Sequence, residues 1–461
     1  MGNCKRKKFH ERHNVEGEDV ISNLPDSVLH HILSFLPTKD AVRFCMFSTR
    51  WKYLWTSLPN IDLDDLLYFG EKNIWSPHER TCYMNFVERV LMLHDMSNLK
   101  RFRLSCRVFF NASYVNEWVS TAVRHKVQEL DICFFVEEPF GLPCCIFTCE
   151  SLTALKIAMN CVLKLPNCIS FPSLKSLQLR FVTFMENYST QKLFSGCPVL
   201  QELAILDCEW MNLESITISI PTLKSLTIDE LPCFGKTDDL NDCEIKIYAA
   251  NLLSFKYIGN LSNDIFLYNL SSLLVASIHI PNLCERRNEI ARRGVKLLRG
   301  VHNAKSVRLS NGTIESLFLA ENIPDHFPIF QNLTHLEFSM EIENHTIGAL
   351  MELLQSSPNL ESLVFAKGLD PRIFLCEDDW NLKSVPKCFL SHLKTVDLHN
   401  FLGNDTEICF LEFLLKNALV LERINICCYK NLLGNSKKQE KGRNLLNMLP
   451  RGSRGCAIVF L

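Results

Sequence analysis

"SGCPVLQELAI", residues Ser195 to Ile205, decides how most of this chain is read. Ser195, Gly196 and Pro198 break helices. After them Leu200, Leu203 and Ile205 follow as apolar, two variable, apolar, one variable, apolar. Leu203 and Ile205 lie two residues apart, so on a β-strand both point inward and Ala204 between them points outward. One such strand cannot bury its apolar side alone, but stacked copies share a continuous core.

The phrase returns along the chain as "LKRFRL" from Leu99, "VQELDI" from Val127, "LTALKI" from Leu152, "LKSLQL" from Leu174 and "LESITI" from Leu213. It continues as "LKSLTI" from Leu223, "LLSFKY" from Leu252, "AKSVRL" from Ala304, "LTHLEF" from Leu333, "LESLVF" from Leu360, "LKTVDL" from Leu393 and "LERINI" from Leu421. Most neighbours stand roughly 21 to 33 residues apart, in or just beyond the leucine-rich-repeat range. Leu213 and Leu223 are too close for both to head full repeats. The alternative, amphipathic βα units in a compact α/β domain, fits thirteen recurrences less well. The region resembles the irregular intracellular leucine-rich repeats of plants. That family's ladder residue, Asn or Cys, matches only at Asn160 and Cys208.

The pleat lists the outward, concave residues. Candidate target-binding positions are Arg101, Arg103, Glu129, Asp131, Lys156, Arg180, Arg308, His335, Glu337, Asp397 and Arg423. Gln178, Glu202, Thr217, Thr227, Asp229 and Asn425 share the same pattern. Charge alternates along this path, so no ligand of one sign is implied.

"NLPDSVLHHILSFLPTKDAVRFCMFSTRWKYLW", Asn23 to Trp55, reads differently. Pro25 suits a first helical position and Asp26 the positive helix end. Val28, Leu29, Ile32, Leu33 and Leu36 form one helical stripe, which Pro37 ends. Thr38 is the expected cap of a second helix with Ala41, Val42, Cys45 and Met46. Trp51, Leu54, Trp55 and Leu58 give a third stripe. These stripes cannot all fit one small interior, so the surplus needs a cover from the rest of this chain or from another.

Leu24-Pro25, the run from Leu33 to Thr38, Ala41-Val42 and Arg50-Trp51 with Leu54-Trp55 resemble a plant-type F-box. The resemblance implies a three-helix unit that docks on a Skp-type adaptor of a cullin–RING ubiquitin ligase. It carries adaptor binding onto Leu24, Pro25, Leu29, Ile32, Leu33, Leu36, Pro37, Ala41, Val42, Cys45, Trp51, Leu54 and Trp55. Phe44 and Phe47 are bulky where the family commonly has a small residue.

Residues 385–428 pair a strand at Leu393–Leu398 with a helix carrying Ile408, Leu411, Leu414 and Leu415, then a strand at Leu421–Ile426. With the tail "LPRGSRGCAIVFL" this resembles the FBD module of plant F-box proteins, here expected to cap the exposed end of the repeats.

The composition has an ordinary globular balance that argues against wholesale disorder. Hydrophobic residues make up 47% of 461, and 49 Lys+Arg face 51 Asp+Glu, for a formal net charge of −2. No whole-protein basic field exists to hold nucleic acid, and no nucleic-acid partner is expected. No run approaches a membrane-spanning length, and "MGNCKRKKFHERHN" has no apolar signal core, so no membrane partner is expected. The 21 cysteines are expected as free thiols, and the eight Asn-x-Ser/Thr sequons as unused. Cys144, Cys145 and Cys149 lack the paired spacing of a zinc site, and neither a metal nor a cofactor is expected. No HExxH, GxxxxGK[ST] or GxGxxG occurs, so no catalytic residue is assigned.

The expected fold is therefore α/β. A disordered basic tail (1–17) leads to the F-box (18–62), an irregular leucine-rich-repeat solenoid (85–380) and an α+β FBD-like module (386–461). The resemblances imply a non-catalytic substrate-recognition subunit of an SCF-type ubiquitin ligase, working in the nucleus and/or cytoplasm. The alternative is an F-box scaffold outside any ligase.

Overall fold

The computed structural model describes residues 21, 24–46, 50–70, 76–106, 112–135, 141–230, 243–281, 287–318, 328–339, 347–369, 385–428, 446 and 448–461. The basic N-terminal tail, Phe47 and the Lys437-Lys438 segment lie outside the described residues. The chain divides into two units, Met1–Ser105 and Cys106–Leu461.

In the first unit, helices Asp26–Leu33 and Thr38–Arg43 each follow a proline held in extended backbone. Pro25 thus precedes its helix rather than opening it. Thr38 is the first helical residue, not the cap. Its buried hydroxyl instead accepts the Asp62 amide at 2.7 Å, tying helix to strand. The expected third helix is a 3-10 turn over Trp51–Ser57. Arg50 fastens it to the first helix, donating to Asp26 at 2.6 Å and to the Leu24 carbonyl at 2.7 Å.

Strand Asn60–Asp64 then runs parallel to strand Arg101–Cys106, with Asn60 opposite Arg101 and Asp64 opposite Ser105. Leu58, Ile61 and Leu63 are buried in the spacing of the repeat phrase. This copy crosses the end of the 18–62 segment. Between the strands, helix Pro77–Leu93 opens with a reciprocal Ser76–Glu79 capping box and Pro77 at its first position. The expected boundary at residue 85 falls inside that helix.

The second unit is a ladder of short parallel strands. It begins Glu129–Phe134, Ala154–Met159, Ser176–Arg180, Glu202–Leu206, Ser225–Asp229, Ser254–Ile258 and Val275–His279. It continues Ser306–Leu309, His335–Phe338, Ser362–Phe365, Thr395–Phe401, Arg423–Cys428 and Ala457–Phe460. The leading leucine of most phrases closes a turn, as when the Leu200 amide donates to Cys197 and the Leu360 amide to Ser357. Both inward positions of every phrase are buried, and Phe338 stacks on Phe365 at 5.4 Å.

The Leu213 phrase departs from this ladder. Its strand, Ser215–Ser219, joins Glu244–Tyr248 and Asp264–Tyr268 in a separate three-stranded parallel sheet. The side-chain amide of Gln191 meets both backbone groups of Thr217, donating to its carbonyl at 2.6 Å and accepting from its N–H at 3.0 Å. That mimics a neighbouring strand at the sheet edge.

Of the two ladder residues, the Cys208 thiol reaches the Leu179 and Leu206 carbonyls at 3.5 Å, bridging successive turns of the array. Asn160 is exposed.

The C-terminal stretch prolongs the same parallel ladder rather than starting a new layer. Helix Asp405–Asn417 buries Leu411, Leu414 and Leu415 and leaves Ile408 half-buried. At its start the buried Glu407 carboxylate accepts the amides of Leu402, Gly403 and Asn404 at 2.7–3.2 Å. Burial pushes its pKa up to about 7, against the pull of those three donors. A carboxyl whose folded pKa exceeds its unfolded 4.5 stabilises most at low pH, and that share is lost as pH rises to 7. Glu407→Gln removes the loss. Unfolding measured from acid to neutral pH is expected to gain about 2–3 kcal/mol for the variant relative to wild type.

Candidate protein-interaction surfaces

The first unit splits the residues expected to bind an adaptor. Leu29, Leu33, Ala41, Trp51, Leu54 and Trp55 are buried and form the unit's own interior. Leu24, Leu36, Pro37 and Val42 are half-buried, Pro25 is exposed, and the Cys45 side chain lies outside the described residues. Phe44 is half-buried with its ring 5.3 Å from that of Trp51. Within the F-box segment the exposed large apolar side chains among the described residues are Ile21, Val28, Ile32, Phe35, Met46 and Tyr53, with Phe35 74% exposed and Ile32 39%; later in the unit Leu67, Met92 and Leu93 are exposed as well. Val28 and Ile32, four residues apart, lie beside the buried pair Leu29 and Leu33. The stripe read as one face therefore serves two ends: one edge fills the core and the other meets solvent.

In the second unit, the residues between the two inward positions form one register row. It runs Asp131, Lys156, Gln178, Ala204, Thr227 and Lys256, each opposite the next. It continues Ser277, Arg308, Glu337, Val364, Asp397, Asn425 and Val459. Glu129, Glu202, His335 and Arg423 sit two residues earlier on their strands, and Arg180 and Asp229 two later. Thr217 belongs to the separate sheet.

Several of these charges are already engaged. Arg308 donates to Glu337 at 2.7 Å, and Asn425 to Asp397 at 2.6 Å. Arg180 lies 3.5 Å from Asp207 and over the Phe181 ring at 4.6 Å. In the first unit, Arg101 is exposed, while Arg103 bridges Asp62 at 2.8 Å and Asp64 at 2.9 Å. Arg103 thus holds two strands together more than it offers a free charge. Lys256 and Ser277 were missed by the sequence list. Ser277 belongs to a phrase, "LLVASI" from Leu273, whose middle apolar residue is only Ala276.

Burial pushes the thiols of Cys197, Cys208 and Cys388 up to about 12, and that of Cys243 to about 11. At neutral pH they stay protonated, and the thiolate is the reactive form. Cys145 faces the Ser120 hydroxyl, and buried Cys149 that of Ser151. Among the described residues, no group of three or more His, Cys, Asp or Glu is placed to hold a metal ion. Among them too, no helix is long and apolar enough to cross a membrane.

A small helical unit with an exposed apolar face, in the same chain as a long ladder of repeat strands, defines a protein-interaction adaptor. Comparison with known families bears this out: residues 21–63 match the F-box domain and residues 90–453 the At1g61320/AtMIF1 LRR domain. The chain belongs to the F-box/leucine-rich-repeat proteins. F-box/LRR-repeat protein At4g14103 of Arabidopsis thaliana is 31% identical over 388 residues, covering 81% of this chain and 98% of the relative. Two relatives from the same plant carry FBD in their names. FBD-associated F-box protein At5g22730 is 29% identical over 96% of this chain and 95% of its own length. F-box/FBD/LRR-repeat protein At1g78750 is 29% identical over 96% of both.

Proposed function

We propose that the chain is the substrate-recognition subunit of an SCF-type ubiquitin ligase. The exposed apolar face of the F-box, with Val28, Ile32 and Phe35 at its centre, docks a Skp-type adaptor. The adaptor joins the chain to a cullin–RING ligase. The outward rows of the repeat ladder hold a target protein. The C-terminal strands, with the FBD-type ending, close the array. The chain's part in ubiquitin transfer is proximity: it raises the effective concentration of target lysines beside a loaded conjugating enzyme. It works in the nucleus or cytoplasm, where adaptor and cullin operate.

The observation that carries this reading is the residual apolar face on a unit that already has its own core. A soluble protein seldom leaves such a face without a partner. Purification of the tagged full chain from plant cells tests it. Recovery of both a Skp-type adaptor and a cullin is expected. Recovery of an adaptor without a cullin favours an F-box scaffold outside any ligase, and recovery of neither contradicts the proposal.

A further inference from the structure

The outward face of the ladder is not uniform, and its middle differs from both ends. The residues just before each strand form their own continuous row, because each amide there donates to the carbonyl of the preceding repeat. In mid-array this row reads Lys224, Leu253, Leu274, Lys305: Leu253 donates to Lys224, Leu274 to Leu253 and Lys305 to Leu274, at 2.8–3.1 Å. Beside it, Val275 opens one strand, and Lys256 stands in the central row opposite Thr227 and Ser277. All three lysines are exposed. Leu253, Leu274 and Val275 are 39%, 41% and 45% exposed. Small residues line the adjoining positions, Ser225 and Ser254 among them.

Resting on the target-receptor reading, we infer that this patch takes an extended acidic segment of the target with one apolar residue at its middle. Charge complementarity chooses the occupant: three exposed ammonium groups flank three exposed aliphatic side chains. Spacing sharpens it. Neighbouring strands lie about 4.8 Å apart, so Lys224 and Lys305 stand roughly 15 Å apart across three steps. An extended chain covers that distance in about five residues, which puts an acidic residue at each end and the apolar one between. Nucleic acid fits less well, because the centre is aliphatic and offers no exposed ring on which a base could stack.

Selection of a random displayed peptide library on the purified full chain tests this. The expected outcome is enrichment of peptides with Asp or Glu flanking a Leu, Ile, Val or Phe. Binding should weaken as salt rises. The triple variant Lys224→Glu, Lys256→Glu, Lys305→Glu should bind the enriched peptides at least tenfold more weakly. Lys164→Glu, Lys387→Glu, Lys416→Glu changes net charge equally at exposed sites elsewhere and should bind as wild type does. Circular dichroism confirms that both variants fold. Enrichment of basic or featureless peptides, equal loss in both variants, or displacement of the peptide by single-stranded nucleic acid overturns the inference. No adaptor enters this selection, so its failure leaves the ligase reading intact. Conversely, loss of adaptor binding leaves the patch intact.

Discussion

Val28→Asp, Ile32→Asp, Phe35→Asp is expected to abolish capture of a Skp-type adaptor while the chain stays folded. Phe35 is 74% exposed and Val28 and Ile32 about 40%, so the change costs the folded state far less than one at a fully buried position. In the adaptor complex they would be covered. Fully burying a Val, Ile or Phe contributes about 1.5–3 kcal/mol, so covering the share of these three still exposed is worth about 2–4 kcal/mol, roughly thirtyfold to several hundredfold in affinity before the cost of burying carboxylates. Leu29→Ala and Leu33→Ala should behave in the opposite way. These residues are fully buried, and each truncation should cost about 2–5 kcal/mol of stability. Thermal unfolding with parallel titration of adaptor separates the two classes. If the exposed triple keeps wild-type affinity, the adaptor surface lies elsewhere.

Gly312→Ala should destabilise the second unit by about 3–5 kcal/mol, although the same change in an ordinary helix gains about 1 kcal/mol. Gly312 lies in the first turn of helix Asn311–Phe318, pressed against the end of strand Val275–His279. A methyl group there would collide with the backbone carbonyl of Ile280 and come within 2.6 Å of that of Pro281. Neither is a flexible side chain that could turn away. On either side of Gly312, the buried hydroxyls of Ser310 and Thr313 accept the Ile280 amide at 3.1 Å. Ser310 also donates to the Ile280 carbonyl at 2.7 Å, and Thr313 to that of Ile278 at 3.1 Å. Backing the helix away to admit the methyl stretches all four bonds and leaves buried polar groups short of partners. Denaturant unfolding measures the loss. Unchanged or raised stability would show that the helix is not held as described.

The ladder was legible because its message is redundant: one apolar spacing repeats, and each copy names the same inward pair. It failed where a copy was weak or misplaced. The copy from Leu273 is weak in the sequence because Ala276 stands where a large residue is usual, so the spacing between the Leu252 and Ala304 phrases reads as a gap. Leu58 was hidden inside the helical segment before it. The second sheet escaped because Ile245, Ile247, Ile265 and Leu267 alternate correctly but follow no helix-breaking leucine turn. The F-box surface was legible only in outline. Hydrophobicity alone cannot say whether a leucine faces its own core or a partner, so Leu29 and Ile32 looked alike. The mid-ladder patch was invisible for another reason. Four of its six residues lie before the strands, and the row appears only once the register aligns Lys224 with Leu253, Leu274 and Lys305.

The most direct test of the whole account is quantitative affinity purification of the tagged full chain under proteasome inhibition, beside the Val28→Asp, Ile32→Asp, Phe35→Asp variant. Adaptor, cullin and ubiquitin-remnant peptides on co-purifying proteins are measured together. The account predicts adaptor and cullin with the wild type, and co-purifying proteins that carry ubiquitin remnants. With the variant it predicts the same co-purifying proteins, now without adaptor, cullin or remnants. Ubiquitination that persists undiminished on the variant, or a wild-type complex lacking adaptor and cullin, would contradict it.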